Sequence, residues 1–204
     1  MLVQDVDIQN ISINYSNSSS IKHYNTINTF SQEKNKDYFY FPTTTLKPKV
    51  ELFLRDLAIE LDLELSLILS LIELETGGKF NNEVVSVNPT SIDIGLFQLN
   101  NKWGVPNAEE ILDCEVDPYD VYDNISGGLA ILYNNREYYR SQGYTGDSLM
   151  NMTLLSYNRG IGGASIWMET HNDYHAYVHI IRDNQHKWQE LVNRMGEPTH
   201  LLKF

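Results

Sequence analysis

The chain is short of cysteine, of basic residues and of long apolar runs, and each shortage removes a class of function. Cys114 is the only cysteine in 204 residues. No intramolecular disulfide can form, so a disulfide-stapled secreted fold is excluded. With no local histidine partner, Cys114 reads as a packed or surface thiol rather than a nucleophile. Fifteen basic side chains stand against 27 acidic ones, a net charge of −12. Nucleic-acid binding needs clustered Lys and Arg, so that class is set aside. Electrostatic capture by an anionic membrane or cell wall is disfavoured for the same reason. No run approaches the roughly 18–20 apolar residues of a membrane span. Met1-Leu2-Val3-Gln4-Asp5 has neither the basic start nor the apolar stretch of a signal peptide, so synthesis in the cytoplasm is expected.

Residues 1–46 are rich in Asn, Ser and Thr and thin in apolar side chains. They read as an extension without its own core, either loosely docked or serving as an arm that joins a larger assembly. Residues 47–204 read as the compact domain. Val50, Phe53, Leu54, Leu57, Ala58 and Leu61 recur at helical spacing, with Pro48 suited to a first turn and Asp62 breaking the pattern. From Glu64 a second helix is apolar on all sides, so it should be buried centrally, and Gly77-Gly78 stops it. Residues 91–100 read as a short strand or extended loop, and Trp103, Gly104 and Pro106 as irregular chain. Asp123 or Asn124 can cap a helix carrying Ile125, Leu129 and Leu132, and Asp147 another that runs out near Gly160. A last helix from about Tyr174 ends at Gly196 and Pro198. The sum is a mainly α domain with a small extended element near its middle, an α+β composition.

Two carboxylates stand out. Glu75 ends the apolar helix, and Asp93 follows eighteen residues later inside Ser91-Ile92-Asp93-Ile94-Gly95-Leu96-Phe97-Gln98-Leu99-Asn100. Two acidic side chains in unlike surroundings are the minimum equipment for cleaving a glycosidic bond. One stays protonated to serve the leaving oxygen, and the other stays charged beside the developing cation. The neighbours Leu71, Ile72 and Leu74 disfavour the anion of Glu75, and so does the negative end of its helix. Glu73 lies about 200 degrees around the same helix and reads as a structural carboxylate that bonds a backbone N–H or an Arg.

The arrangement resembles the soluble lytic transglycosylase family of the lysozyme-like superfamily, which cleaves peptidoglycan glycan strands. Glu75-Thr76 stands in the place of that family's Glu-Ser pair, and Gly95-Leu96-Phe97-Gln98 in that of its Gly-Leu-Met-Gln signature. Asn124-Ile125 with Gly127 or Gly128, Ser156-Tyr157-Asn158-Arg159-Gly160, and Tyr177-Val178 follow in register. The resemblance implies a lysozyme-like fold, two lobes and a glycan-binding groove. It implies Glu75 as the catalytic acid and base, with Thr76, Phe97, Gln98, Tyr157, Asn158 and Tyr177 on the substrate side. Gln98 also reads as an amide satisfied by backbone, Tyr157 as a core aromatic, and Asn158 as a side chain whose bond fixes a turn. The family reading needs no cofactor and no metal.

The stretch around Asp93, with Trp103 after it, also resembles the second-carboxylate region of c-type lysozymes, which makes Asp93 a second catalytic candidate. Two outcomes follow. A transglycosylase closes an anhydro sugar without water; a muramidase uses Asp93 and lets water finish. A third reading is a glycan-binding or assembly component with little turnover. A chain without a visible leader needs delivery to the wall, by release through a membrane lesion or by being built into a phage or prophage particle. His171, His175 and His179, four apart, read as unrelated surface positions rather than metal ligands. The acidic stretch Asp113 to Asp123 reads as a solvated loop.

Overall fold

The computed structural model describes residues 44–195. The arm read at 1–46, apart from Thr44, Thr45 and Leu46, lies outside the described residues, as do Gly196 and Pro198. Leu46 is already buried in the domain, and the Thr45 hydroxyl donates to the Lys79 carbonyl at 2.7 Å.

The chain runs α1 (Pro48–Glu60), α2 (Leu65–Glu75), β1 (Val85–Val87), β2 (Ile92–Ile94), β3 (Leu99–Asn100), α3 (Gly104–Leu112), α4 (Val121–Ser141), α5 (Gly146–Thr170) and α6 (Ala176–Met195). This is the mainly α, lysozyme-like composition expected. The strands form one antiparallel sheet in the order β1-β2-β3. No helix among the described residues is long and apolar enough to cross a membrane.

Helix α2 is the axis of the core. Leu67, Ile68, Leu69, Leu71 and Ile72 are all fully buried. Each such side chain contributes about 1.5–3 kcal/mol of gross burial. Its two serines make the polar contacts a buried helix requires. Ser70 donates to the Ile181 carbonyl at 2.6 Å and Ser66 to Gln189 at 2.7 Å, both on α6. Burial and these bonds lay α6 along α2. The break after α1 is also built: Asp62 takes a positive φ of 51°, and Arg136 of α4 donates to the Leu61 and Asp62 carbonyls.

Several local expectations are corrected. The chain after Trp103 is helical: Pro106 sits in the first turn of α3, where its missing N–H costs nothing. Asp120, not Asp123 or Asn124, caps α4, accepting from the Tyr122 and Asp123 amides. The Asn124 side chain is committed elsewhere, as described below. Thr145 rather than Asp147 precedes α5. That helix does not end at Gly160. The glycine breaks it with φ 69° and ψ 161°, and helix resumes to Thr170. Strand β1, unmarked in the sequence, pairs Ser86 with Asp93.

Candidate active site

Glu75 is the last residue of α2, half-buried, and its carboxyl is pushed up to about 7. Burial is the largest cause. The Tyr177 hydroxyl donates to Oε1 and pulls the other way, and the charge of Asp93 adds a further push upward. Tyr177 stands at the start of α6, so the packing of α6 on α2 delivers the phenol to the acid. The Tyr177 hydroxyl is itself held well above its ordinary acidity range by burial and by the Glu75 charge beside it.

Glu73 points elsewhere. Its oxygens accept from Lys187 Nζ and Trp188 Nε1, each at 2.8 Å. The partners are thus a lysine and an indole, not the backbone N–H or arginine expected. Both lie on α6, more than a hundred residues away in sequence, where no local pattern could announce them.

Asp93 sits mid-strand on β2, in register with Ser86 on one side and Asn100 on the other. Asn88 Nδ2 donates to its Oδ2 at 2.8 Å and Asn100 Nδ2 to its Oδ1 at 2.6 Å. Two amides therefore fix both carboxylate oxygens. Neither asparagine figures among the sequence candidates, although Asn100 at seven residues from Asp93 falls on the same rung of the hairpin.

The turn between β2 and β3 is pinned from below. Asn124 Oδ1 accepts from the Phe97 amide at 2.9 Å, and its Nδ2 donates to the Ile94 and Pro118 carbonyls at 2.8 and 3.0 Å. Asn82 accepts from the Leu96 amide at 3.0 Å. Gly95 has φ 82°, and a Cβ there would stand 2.2 Å from Asn124 Nδ2, so both conformation and space demand glycine.

The other candidates divide. Tyr157 donates to the Phe97 carbonyl at 2.7 Å. Its acidity is suppressed first by burial and then by the charges of Glu75 and Asp93, so the phenol is within the field of both carboxylates. The Gln98 amide donates to the Val84 and Gly95 carbonyls at 3.1 and 2.8 Å and accepts from the Ser86 hydroxyl at 2.6 Å. These bonds hold Gln98 in its left-handed conformation, φ 45°. Phe97 is fully buried, its ring against Gly128, where a Cβ would meet it at 2.1 Å; it lies under the turn and not on an open wall. Thr76 is 2% exposed. Its hydroxyl donates to the Ile72 carbonyl and accepts from the Phe80 amide, so it closes α2 beneath Glu75. Asn158 is exposed, and its side chain makes no hydrogen bond among the described residues; the break beside it comes from Gly160.

The three histidines go separate ways. His171 stacks on Trp167 at 3.6 Å, His175 meets the same indole edge-on at 4.8 Å, and His179 lies 3.2 Å from Asp173. No metal-binding group of His, Cys, Asp and Glu occurs among the described residues. The acidic stretch serves the backbone: Asp117, Asp120 and Asp123 all accept main-chain N–H bonds. Cys114 is exposed, and its thiol is pushed up by burial and the surrounding carboxylates.

Neither the curated proteins nor the solved structures contain a match to this chain. The family comparison is positive: the model of the transglycosylase SLT domain matches residues 58–180, from α1 to α6 and across both carboxylates. With over half of the chain matched, the protein belongs to the transglycosylase SLT domain family, within the lytic transglycosylase and lysozyme-like superfamily.

Proposed function

We propose that this protein is a peptidoglycan lytic transglycosylase. It cleaves the β-1,4 bond between N-acetylmuramic acid and N-acetylglucosamine, with Glu75 as general acid and then general base. One observation carries the reading: Glu75 sits half-buried at the end of the apolar helix α2 with the Tyr177 hydroxyl on its Oε1, and burial pushes its carboxyl up to about 7. An acid tuned to the working pH is the most effective proton donor.

In the first half of the reaction Glu75 gives its proton to the glycosidic oxygen as the bond to the muramyl C1 breaks. The positive charge that grows on the sugar meets the negative charge of Asp93. Tyr177, already bonded to Oε1, steadies the Glu75 anion. In the second half that anion takes the proton of the same sugar's C6 hydroxyl, whose oxygen closes on C1. The products are a 1,6-anhydro end and a re-protonated Glu75, with no water consumed.

A second reading, hydrolysis by a muramidase, is supported by the amide clamp on Asp93. A second carboxylate fixed by Asn88 and Asn100 is what a trapped or shielded cation would require. A binding or assembly component with little turnover is the reading of a different class. Delivery fits release through a membrane lesion or incorporation into a phage or prophage particle, with residues 1–46 as the assembly contact.

Mass spectrometry of murein digested by the wild type and by Glu75→Gln separates these readings. The proposal expects anhydro-muramyl ends from the wild type and loss of lysis in the variant. Reducing ends instead would establish hydrolysis. Equal lysis by both proteins would remove Glu75 from the reaction.

A further inference from the structure

Gly160 turns the chain so that Arg159 folds back over the second half of α5. The Arg159 Cβ lies 3.1 Å from where a Gly163 side chain would begin, and its guanidinium lies 4.2 Å from the centre of the Trp167 ring. His171 stacks parallel to the same indole, 3.6 Å away with 2° between the planes. Two groups at those distances cannot share one face, so the indole is held between imidazole and guanidinium. His175 closes its edge, and the indole N–H is committed to the Asp173 carbonyl at 2.9 Å. A guanidinium held over a ring keeps N–H donors for another partner.

Among the described residues those donors have no acceptor. Arg55 pairs with Asp56, Arg136 and Arg140 with Glu137, Arg182 with Asp147, and Arg194 with Glu190. Arg159 alone makes no bond to a carboxylate among the described residues, in a chain of net charge −12 where acids outnumber bases. It is exposed. The stack is tied to the site through the chain: Arg159 follows two residues after Tyr157, which feels the Glu75 and Asp93 charges, and His175 precedes by two residues Tyr177, which bonds Glu75, so both backbones lie within about 7 Å of site residues.

Resting on the lytic reading above, we infer that Arg159, clamped on Trp167, binds a carboxylate that hangs from the muramyl residue of the substrate. The glycan backbone itself is uncharged. Its anions sit on the lactyl substituent: the carboxylates of the stem peptide or, on a naked strand, the lactyl carboxylate. A planar fork with free donors matches that group, and a chain otherwise repelled by anions gains one point of specific attraction. Arg159 thereby sets which strands are used and takes no part in bond cleavage.

The test uses the full chain and three soluble substrates: peptide-bearing strands, the same strands with their carboxylates amidated by carbodiimide and excess ammonia, and strands stripped to the lactyl carboxylate by an amidase. The wild type is expected to prefer peptide-bearing over amidated strands by roughly tenfold in kcat/KM, mainly through KM, the size of one charge-assisted pair. That preference should weaken as salt rises. In Arg159→Gln the ratio should fall close to one. Arg159→Lys, which keeps charge but not the fork, should fall between. A wild-type preference for stripped over amidated strands would assign the contact to the lactyl group, and indifference between those two would assign it to the peptide. Equal rates of the wild type on free and amidated strands, or a uniform loss on all three in Arg159→Gln, would overturn the inference. Glu75→Gln on the same substrates keeps the two claims apart: undiminished cleavage there sinks the catalytic reading, whereas a flat ratio in an active wild type sinks only the role of Arg159.

Discussion

The end of α2 and the middle of β2 each present a carboxyl group, and they treat it in opposite ways. Around Glu75 the chain places fully buried Leu71 and Ile72, a turn closed by Thr76, and one phenol. Around Asp93 it places two amide donors, one for each oxygen. Hydrocarbon denies the first anion its water, and a single hydroxyl recovers only part of the loss. The amides supply the second with the bonds an anion prefers. The same functional group thus meets burial at one place, which raises the Glu75 carboxyl, and two amide bonds at the other.

The largest effect should come from removing the proton itself. Glu75→Gln keeps the shape and the Tyr177 contact but has nothing to donate, and lysis should fall by roughly 10²- to 10⁴-fold. Turbidity loss of purified cell walls reads this directly. Asp93→Asn removes the charge beside the growing cation but no group that passes a proton, so it should cost less than Glu75→Gln, about tenfold, with the products still anhydro-ended. A loss as deep as that of Glu75→Gln, together with reducing ends in the wild-type products, would make the two groups partners in hydrolysis.

The pH profile sharpens the same contrast. Glu75 must be protonated to begin, so activity should fall as pH rises through about 7. Tyr177 favours the anion and lowers that value. Tyr177→Phe should therefore carry the alkaline limb to higher pH, with only a several-fold change in maximal rate. Asp93→Asn removes a negative neighbour and should carry the limb to lower pH. NMR titration of a labelled Glu75 carboxyl would follow both shifts without relying on turnover.

How much of this could be read beforehand depended on how local its cause was. The apolar run of α2 dictated both a central helix and a dehydrated acid at its end, because periodicity and burial are properties of neighbouring residues. Strand β1 gave no such signal. It is three residues long, its Val85 and Val87 are exposed, and its place comes from pairing with β2. Helix α3 was hidden behind Gly104 and Pro106, which punctuate a chain unless they fall in a first turn. Asn88 and Asn100 look like any turn asparagines until the hairpin register brings them to Asp93. Thr76 and Phe97, expected on the substrate side, instead pack inward, because their side chains close α2 and fill the space under the β2–β3 turn. Tyr177 reaches Glu75 only through the docking of α6, a contact between residues a hundred positions apart.

The smallest expected effect belongs to Glu73, and it is the control on which the assignment of Glu75 rests. The two glutamates share a helix end but face different partners. Glu73 holds exposed Lys187 with one oxygen and buried Trp188 with the other. Glu73→Gln keeps a carbonyl for the indole N–H and gives up an ion pair that solvent already screens, worth about 1 kcal/mol or less. Urea unfolding should shift by no more than that. Activity should stay within about twofold, and its alkaline limb should not move. A pH limb that followed Glu73→Gln and ignored Tyr177→Phe would mean that the titrating acid had been placed on the wrong face of α2.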